Sequence, residues 1–233
     1  MLTEQGKIWL SEEFPKLRVG TDGISGSIAF VATYNKQIGK FLRIKNSTND
    51  TVGGVRLSGN FTISIKQRTD LSNSSLPILH VDGVDCIPDR HFNQTDKGAC
   101  LCSPLEEDRF LLPQFEFEQY MEKLVVPFLY GQLFFNIEGR WPWSEYAHGA
   151  VGLLESYFKN PTHLKARECL QKLSRDLKAW REIKPILLQR SDIKGHTPCF
   201  CVKADKIRRC HLDALEGLRL LKEAVDNYDI PLP

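Results

Sequence analysis

The sequence predicts an α+β fold in which an antiparallel β-meander is followed by helices. In the first half of the chain, apolar segments rich in β-branched and aromatic residues alternate with turn-rich stretches. In the second half, apolar residues recur instead at the spacing of a helical face. A length of 233 residues allows one sizeable core and a small second one. Strands first and helices later are typical of an α+β domain.

Three strands are predicted in the first half, at residues 24–34, 39–46 and 54–67. The first segment is apolar and β-rich, the second follows it closely, and the second part of the last one alternates apolar with polar residues, as a half-buried strand does. Turn-rich stretches at 46–54 and 69–77 separate the strands from each other and from the middle of the chain. This order indicates an antiparallel meander.

The remaining segments predict an irregular region and then helices. Residues 77–113 show no clear period and hold several prolines, so we expect them to be mostly irregular. Helices are predicted at about 115–138, 161–185 and 211–227. In the second of these, the apolar stripe consists of Ala166, Cys169, Leu170, Leu173, Leu177 and Trp180. In the third, it consists of Leu215, Leu218, Leu221 and Val225.

Composition argues against several classes of protein. The formal net charge of +2 gives no strong electrostatic case for nucleic acid or a membrane surface as a partner. The most apolar run, residues 124–135, is too short to span a bilayer, and the first residues lack the pattern of a signal peptide. Seven cysteines then favour a reducing, cytoplasmic setting, where clustered cysteines suggest metal binding or catalysis.

Four residues near the C-terminus are spaced as metal ligands. Cys199 and Cys201 are followed after eight residues by the adjacent Cys210 and His211, where the last helix is predicted to start. Two close pairs separated by a loop can wrap one tetrahedral zinc ion. The spacing resembles the SEC-C zinc motif, and we therefore expect a structural zinc with a closed coordination shell. The alternative is a set of reduced, half-buried thiols beside a helix start.

A second cysteine-containing segment lies in the middle of the chain. There the sequence reads His91-Phe92-Asn93 and then Gly98-Ala99-Cys100-Leu101, after the predicted meander and before the helices. Over about residues 15–158 this order resembles the ubiquitin-conjugating enzyme (UBC) fold, with its His-Pro-Asn and Gly-x-x-Cys-Leu signatures. The segment around Trp141, Pro142 and His148 is similar to bacterial members of that superfamily, which commonly occur in antiphage operons.

The two resemblances imply a domain organisation. They predict a ubiquitin-conjugating-like domain at residues 1–158, a helical connector at 159–195 and a SEC-C-like zinc module at 196–233.

The resemblance also implies a chemistry for this segment. Cys100 would carry an acyl group or a ubiquitin-like modifier as a thioester and pass it to a lysine or a thiol on a protein target. Asn93 would donate to the oxyanion and His91 would order the loop. Cys102 is an alternative nucleophile. The sequence contains neither GxxxxGK[ST] nor a GxGxxG after a predicted strand, so a separate activating enzyme is expected as a partner.

Other interpretations stay open. Phe92 stands where the family signature has proline, and the glycine lies one residue closer to Cys100 than usual. An inert adaptor of the same fold, which binds a ubiquitin-like protein or a target, is therefore a second hypothesis. Cys100 and Cys102 can also be structural thiols in a turn. A zinc deaminase fits less well, because "HFN" and "PCFC" lack the H-x-E and P-C-x-x-C patterns.

Overall fold

The computed structural model describes residues 2–45, 52–68, 75–201, 203 and 205–233, and it confirms an α+β fold with an antiparallel sheet. The chain forms two compact units. The first unit comprises residues 1–102 and 107–145, and the second comprises residues 103–106 and 146–233. Most of the predicted turn stretches at 46–54 and 69–77 lies outside the described residues.

The sheet of the first unit is an antiparallel meander built around one long hairpin. Its strands are β1 (Leu17–Gly20), β2 (Gly23–Asn35), β3 (Lys40–Arg43), β4 (Val55–Lys66) and β5 (Ile78–Val81). They are hydrogen-bonded in the order β1-β2-β4-β5, and β3 pairs with the far end of β2. The predicted strands therefore correspond to β2, β3 and β4. Ile28, Ile63 and Ile65 point into the core, which explains the apolar pattern.

One helix and two short strands of the first unit are among the elements that were not predicted from the sequence. Helix α1 (Glu4–Glu13) begins at Thr3, whose hydroxyl accepts a hydrogen bond from the Gly6 N–H and caps the helix. Strand β1 is joined to β2 by a tight turn and pairs with its first residues. Strand β5 lies inside the segment 77–113, which was expected to be mostly irregular, and pairs with the end of β4.

The remaining helical elements of the first unit lie within the segment 77–113 or after it. A 3-10 turn (Pro88–Arg90) precedes α2 (Asp108–Leu111), and α3 (Phe117–Tyr120) runs through a π-helical turn (Met121–Val125) into α4 (Val126–Glu138). The helix predicted at 115–138 is thus present, with a π-helical turn in its middle. Pro127 has no N–H to donate to a carbonyl in the preceding turn, which accounts for the change in hydrogen bonding there.

The second unit is helical. It contains α5 (Gly149–Lys159), α6 (His163–Arg175), α7 (Leu177–Leu188), α8 (Ile207–Cys210) and α9 (Leu212–Tyr228). Helix α9 matches the prediction at 211–227. It packs closely on α5, because a Cβ at Gly217 would lie 2.0 Å from the Leu154 carbonyl oxygen. The predicted domain boundary at 158 falls within α5, which belongs to the second unit.

The single helix predicted at 161–185 is wrong, because the chain breaks at Asp176. Its carboxylate accepts a hydrogen bond from the Ala179 N–H and starts α7 as an N-cap. The break turns Leu177 outward, where it is 67 % exposed, while the rest of the predicted stripe is buried. Helix α7 then continues past Pro185 to Leu188.

Across the part of the chain that the structure describes, no helix combines the length and the apolar character that crossing a membrane would require.

Candidate active site and metal centre

Cys100 lies on a short β-hairpin of the first unit. Its N–H donates to the His91 carbonyl over 2.7 Å, and the Asn93 N–H donates to the Gly98 carbonyl over 2.8 Å. This pairing places His91 opposite Cys100 and Asn93 opposite Gly98. Side chains of directly opposed residues project from the same face of an antiparallel pair. The structure therefore brings three of the predicted site residues, His91, Asn93 and Cys100, to one hairpin.

The hairpin is attached to the sheet. The Ala99 N–H donates to the carbonyl of Leu79 on β5 over 2.8 Å. A Cβ at Gly98 would lie 2.5 Å from the Cγ2 atom of Ile78, so only glycine allows this close approach. On the inner face, Phe92 is 2 % exposed and packs edge-on against Phe128. Phe92 thus anchors the hairpin in the core.

The His91 side chain contacts Trp141 and Glu145. Its ring lies 4.6 Å from the ring of Trp141, and its Nε2 atom lies 3.0 Å from a carboxylate oxygen of Glu145. The Trp141 indole N–H donates to the Asp89 carbonyl over 3.0 Å and so fixes the aromatic surface beneath the imidazole. His91 itself has a left-handed backbone, with a φ of 55°. The turn and the tryptophan together set the position of the imidazole.

Glu145 is a residue of this site that sequence reasoning missed. It lies 54 residues after His91, and nothing in the spacing indicates that the two meet. Burial, with a smaller contribution from the Asp89 carboxylate, raises the pKa of Glu145 to about 7. The only hint in the sequence was that Glu145 lies three residues before His148, and the resemblance drew attention to His148 instead. His148 precedes α5 in the second unit.

Asn93 has a defined amide orientation. Its Oδ1 atom accepts hydrogen bonds from the Thr95 hydroxyl over 2.7 Å and from the Thr95 N–H over 3.2 Å. This is an Asx-turn, which explains why Asn suits the position locally. Because the Oδ1 atom faces Thr95, the Nδ2 atom, which carries the N–H donors, points away from Thr95. A donor is what an oxyanion requires.

The cysteines of the first unit differ in exposure. Cys100 is exposed, whereas Cys102 is half-buried and packs against the apolar core. Partial burial of the thiol, together with the Asp96 carboxylate, raises the pKa of Cys100, and Arg68 opposes that shift. Cys86 is half-buried, and its thiol donates to the Val84 carbonyl over 3.5 Å. Of these thiols, Cys100 is the one most accessible to a large substrate.

A second hairpin, in the second unit, assembles the predicted metal ligands. The Cys199 N–H donates to the Asp205 carbonyl over 2.7 Å, and the Ile207 N–H donates to the Thr197 carbonyl over 2.9 Å. The strand-like arm before the turn carries Cys199 and Cys201. The other arm leads into the short helix α8, which ends at Cys210, and His211 follows between α8 and α9. The backbone pairing brings the two ligand pairs together.

The four side chains fit a tetrahedral metal ion. Their ligand atoms all lie within 4.8 Å of one another, and they belong to Cys199, Cys201, Cys210 and His211. The Cys199 Sγ lies 3.3 Å from the His211 Nδ1, and the Cys201 Sγ lies 3.4 Å from the Cys210 Sγ. Metal–sulfur bonds of about 2.3 Å in a tetrahedron place two sulfurs about 3.8 Å apart. The cluster can therefore hold a metal ion after only small shifts of its side chains.

The grouping of these thiols disfavours the ionisation of Cys199 and Cys210, since it raises the pKa of each. Burial, together with the neighbouring thiols of Cys201 and Cys210, raises the pKa of Cys199 to about 12. Metal coordination requires thiolates, so binding would release protons. Because the three thiols lie close together, they could all bind the same ion as soft ligands.

Comparison of the chain with protein-family models, with curated proteins and with solved structures finds no match.

Proposed function

We propose that the protein is a ubiquitin-conjugating-like cysteine transferase that carries an acyl group or a ubiquitin-like modifier as a thioester on Cys100. The observation that carries this proposal is the hairpin that opposes the exposed Cys100 with His91 and holds Asn93 beside them. A carrier thiol must be open to two successive protein partners, and Cys100 is more exposed than Cys102. The antiparallel meander followed by helices agrees with the same proposal.

The proposed reaction has two steps. In the first, the Cys100 thiolate accepts the acyl group from an activating enzyme. In the second, a lysine amine or a thiol attacks the thioester carbonyl, and the Cys100 thiolate leaves. The Asn93 amide, oriented by Thr95, donates to the oxyanion that forms in between. The partners are thus an activating enzyme, a modifier protein and a protein target. A role in antiphage defence rests on the resemblance to bacterial family members.

For the second unit we propose a structural zinc ion bound by Cys199, Cys201, Cys210 and His211. Three thiolates and one imidazole are a common zinc ligand set. Four protein ligands would complete the tetrahedron, so this ion would have no position for substrate. Its contribution would be to hold the hairpin and α9 together as a small module that docks on a partner.

A second function is favoured by one observation at the same site. Burial and Asp96 raise the pKa of Cys100, which reduces the thiolate fraction at neutral pH. An inert adaptor, which binds a ubiquitin-like protein or a target without forming a thioester, would tolerate such a thiol. The two functions differ in whether Cys100 becomes acylated.

The test is a charging assay with the genomically neighbouring proteins, including any activating enzyme, ATP and the modifier. Products are run on gels with and without a thiol reductant. The variants are Cys100→Ala, Cys102→Ala and Cys86→Ala, the last being a matched half-buried cysteine outside the hairpin. We expect a reductant-sensitive band of higher mass that disappears in Cys100→Ala alone.

Each other outcome decides against part of the proposal. A band that disappears only in Cys102→Ala would keep the transferase and reject Cys100 as its nucleophile. A charged activating enzyme with no charged product in any variant would support the adaptor. For the metal, analysis of freshly purified protein should find about one zinc per chain, and its absence would reject the zinc proposal.

A further inference from the structure

We propose that Cys201 and Cys210 form an oxidation site, at which a peroxide converts the two thiols into a disulfide and so removes two of the four metal ligands. The removal of a metal ion rests on the proposed zinc site, whereas the disulfide itself requires only the two thiols. The Cys201 Sγ lies 3.4 Å from the Cys210 Sγ. A disulfide bond of about 2.0 Å therefore requires the two sulfurs to approach by only about 1.4 Å.

The backbone holds the two thiols in contact. Cys201 follows the arm of the hairpin in which the Cys199 N–H donates to the Asp205 carbonyl over 2.7 Å. Cys210 is the last residue of α8, and its N–H donates to the Lys206 carbonyl over 3.1 Å. These hydrogen bonds bring the end of α8 back to the hairpin arm. The pair is therefore preformed for a crosslink by contacts within the protein.

The third thiol of the cluster is a poorer partner for oxidation. Cys199 also hydrogen-bonds to Cys201, so contact alone does not exclude it. However, Cys199 is only 3 % exposed, whereas Cys201 and Cys210 are both half-buried. Since oxidation of thiols follows their exposure, a peroxide reaches the latter two more readily. The Cys199 Sγ also faces the His211 Nδ1 over 3.3 Å. Exposure thus selects the Cys201–Cys210 pair.

The reaction balances with hydrogen peroxide as the oxidant. The sulfur of one thiol forms a bond to a peroxide oxygen, the O–O bond breaks, and one water leaves, which gives a sulfenic acid. The second sulfur attacks the sulfenic sulfur, the S–O bond breaks, and another water leaves. Together the two thiols lose two electrons and two protons, and the peroxide is reduced to two waters.

The crosslink would change what the cluster can bind. Cys199 and His211 would remain as ligands, and two protein ligands do not complete a tetrahedral zinc site. The new bond would tie the hairpin arm to the end of α8 in place of the ion. Disulfides of this kind are usually transient in reducing compartments, and a dithiol would restore the ligands by exchange. Oxidation would therefore switch this hairpin between a metal-binding form and a crosslinked form.

The experiment treats the reduced full-length protein with hydrogen peroxide and follows two signals. Zinc release is measured with a chromogenic indicator. The crosslink is measured by mass spectrometry after free thiols are alkylated and the protein is digested with trypsin without reductant. Trypsin places Cys199 and Cys201 on the peptide 195–203 and Cys210 on the peptide 210–219. A crosslink to Cys210 therefore joins two peptides, and fragmentation of the joined pair identifies its other cysteine.

Three variants separate the disulfide from the metal. Cys201→His keeps a nitrogen ligand for zinc but cannot form the disulfide. Cys201→Ser removes the same sulfur and tests the crosslink even if zinc binding is lost. Cys86→Ser is the control, because it changes a half-buried cysteine of the first unit.

We expect wild type to yield the pair joined through Cys201 and to lose about two thiols for each zinc ion released. A dithiol should reverse both changes. Zinc release from Cys201→His should be slower by more than about tenfold, because no neighbouring thiol at this position completes the exchange. Cys201→Ser should yield no joined pair through residue 201, and Cys86→Ser should match wild type in both signals.

Several outcomes would overturn the inference. A wild-type pair joined through Cys199 would reject Cys201 as the partner. Sulfinic or sulfonic products without a joined pair would reject the disulfide. Zinc release from Cys201→His at the wild-type rate would show that the disulfide does not remove the ion. Absence of zinc from the reduced protein rejects the zinc proposal alone, because the peptides still decide whether Cys201 and Cys210 become joined.

Discussion

Two short hairpins, one in each compact unit, carry the candidate functional residues of this protein in different arrangements. Both use backbone hydrogen bonds to pair neighbouring segments of the chain, at Cys100 with His91 and at Cys199 with Asp205. The first hairpin presents one exposed thiol next to a half-buried histidine–carboxylate pair. The second gathers four ligand atoms within 4.8 Å. The same backbone device presents one exposed thiol in the first unit and a cluster that could hold a metal ion in the second.

The difference arises from how many side chains converge. One thiol cannot by itself complete the coordination of a metal ion. Three thiols and an imidazole together can complete a tetrahedral one. Each hairpin can therefore be disrupted separately, and the comparison predicts which properties change in each case.

The largest effect is expected from breaking the second hairpin. Cys210→Ser should release the metal and lower the unfolding free energy of the second unit by more than about 4 kcal/mol, because loss of a structural metal is among the few changes of that size. Hydrogen exchange should accelerate over residues 196–233, whereas Cys86→Ser should leave both properties unchanged. Exchange that stays slow in the metal-free variant would contradict the prediction.

The next effect concerns the first hairpin. Asn93→Asp keeps an oxygen that can accept the Thr95 bonds but replaces the amide donor by a carboxylate. We expect transfer from the Cys100 thioester to fall by about 100- to 1,000-fold, the usual loss of one oxyanion donor. Single-turnover discharge measures it. Gln114→Glu places the same charge on another exposed residue of the first unit as a control. An equal loss in both variants would indicate a general charge effect.

Two glycines test whether the units respond independently. Gly217→Ala should cost about 3 kcal/mol, because its Cβ would lie 2.0 Å from the backbone oxygen of Leu154. Gly131→Ala should cost about 2 kcal/mol, since its Cβ would meet the Trp141 ring, a side chain that can shift. Denaturation monitored by hydrogen exchange should assign each loss to its own unit.

Exposed sites on the same helices provide the matched controls. Glu223→Ala on α9 and Ile137→Ala on α4 should each change stability by less than about 0.5 kcal/mol. Only Gly131→Ala should disturb the ring contact between Trp141 and His91, which is visible in the imidazole resonances. A loss of stability in both units from either glycine variant would contradict independent responses.

The smallest effect is a pH dependence of stability at Glu145. Its pKa is raised to about 7 in the folded protein, so the native state binds more protons than the unfolded state between about pH 4.5 and pH 7. Stability should therefore fall as pH rises through this range. After allowance for solvent screening, the loss is about 1–2 kcal/mol. Glu145→Gln should remove it, and Glu138→Gln should not. If the unfolding free energies of wild type and Glu145→Gln changed equally with pH, the prediction would be contradicted.

Local patterns were predictable from the sequence. Strand β2 was predicted because its segment is apolar and rich in β-forming residues, and β4 because the second part of its segment alternates as a half-buried strand does. The metal cluster was predictable because ligands separated by short spacings can reach one ion with little help from the rest of the fold. The break at Asp176 was missed, since the apolar stripe continues in phase across it, and only the side-chain cap reveals a new helix start.

Contacts over long sequence separations were not predictable. Glu145 reaches His91 across 54 residues, through a turn whose course depends on the packing of Trp141 against Gly131. Strand β5 has only four residues and gains its order from pairing with β4, so its sequence alone carries little signal. Whether Cys100 or Cys102 is accessible likewise depends on the core that Cys102 packs against.

The course of the chain after Cys102 limits how the protein can be dissected. Residues 103–106 belong to the second unit, and the chain then returns to the first unit until residue 145. Within that short excursion, Leu105 is 1 % exposed in the second core. A truncation at residue 145 would leave Leu105 in the first fragment, although its side chain packs in the core of the second unit. The fragment 146–233 would lack this residue of its core, and mixing it with the fragment 1–145 should restore the missing contact.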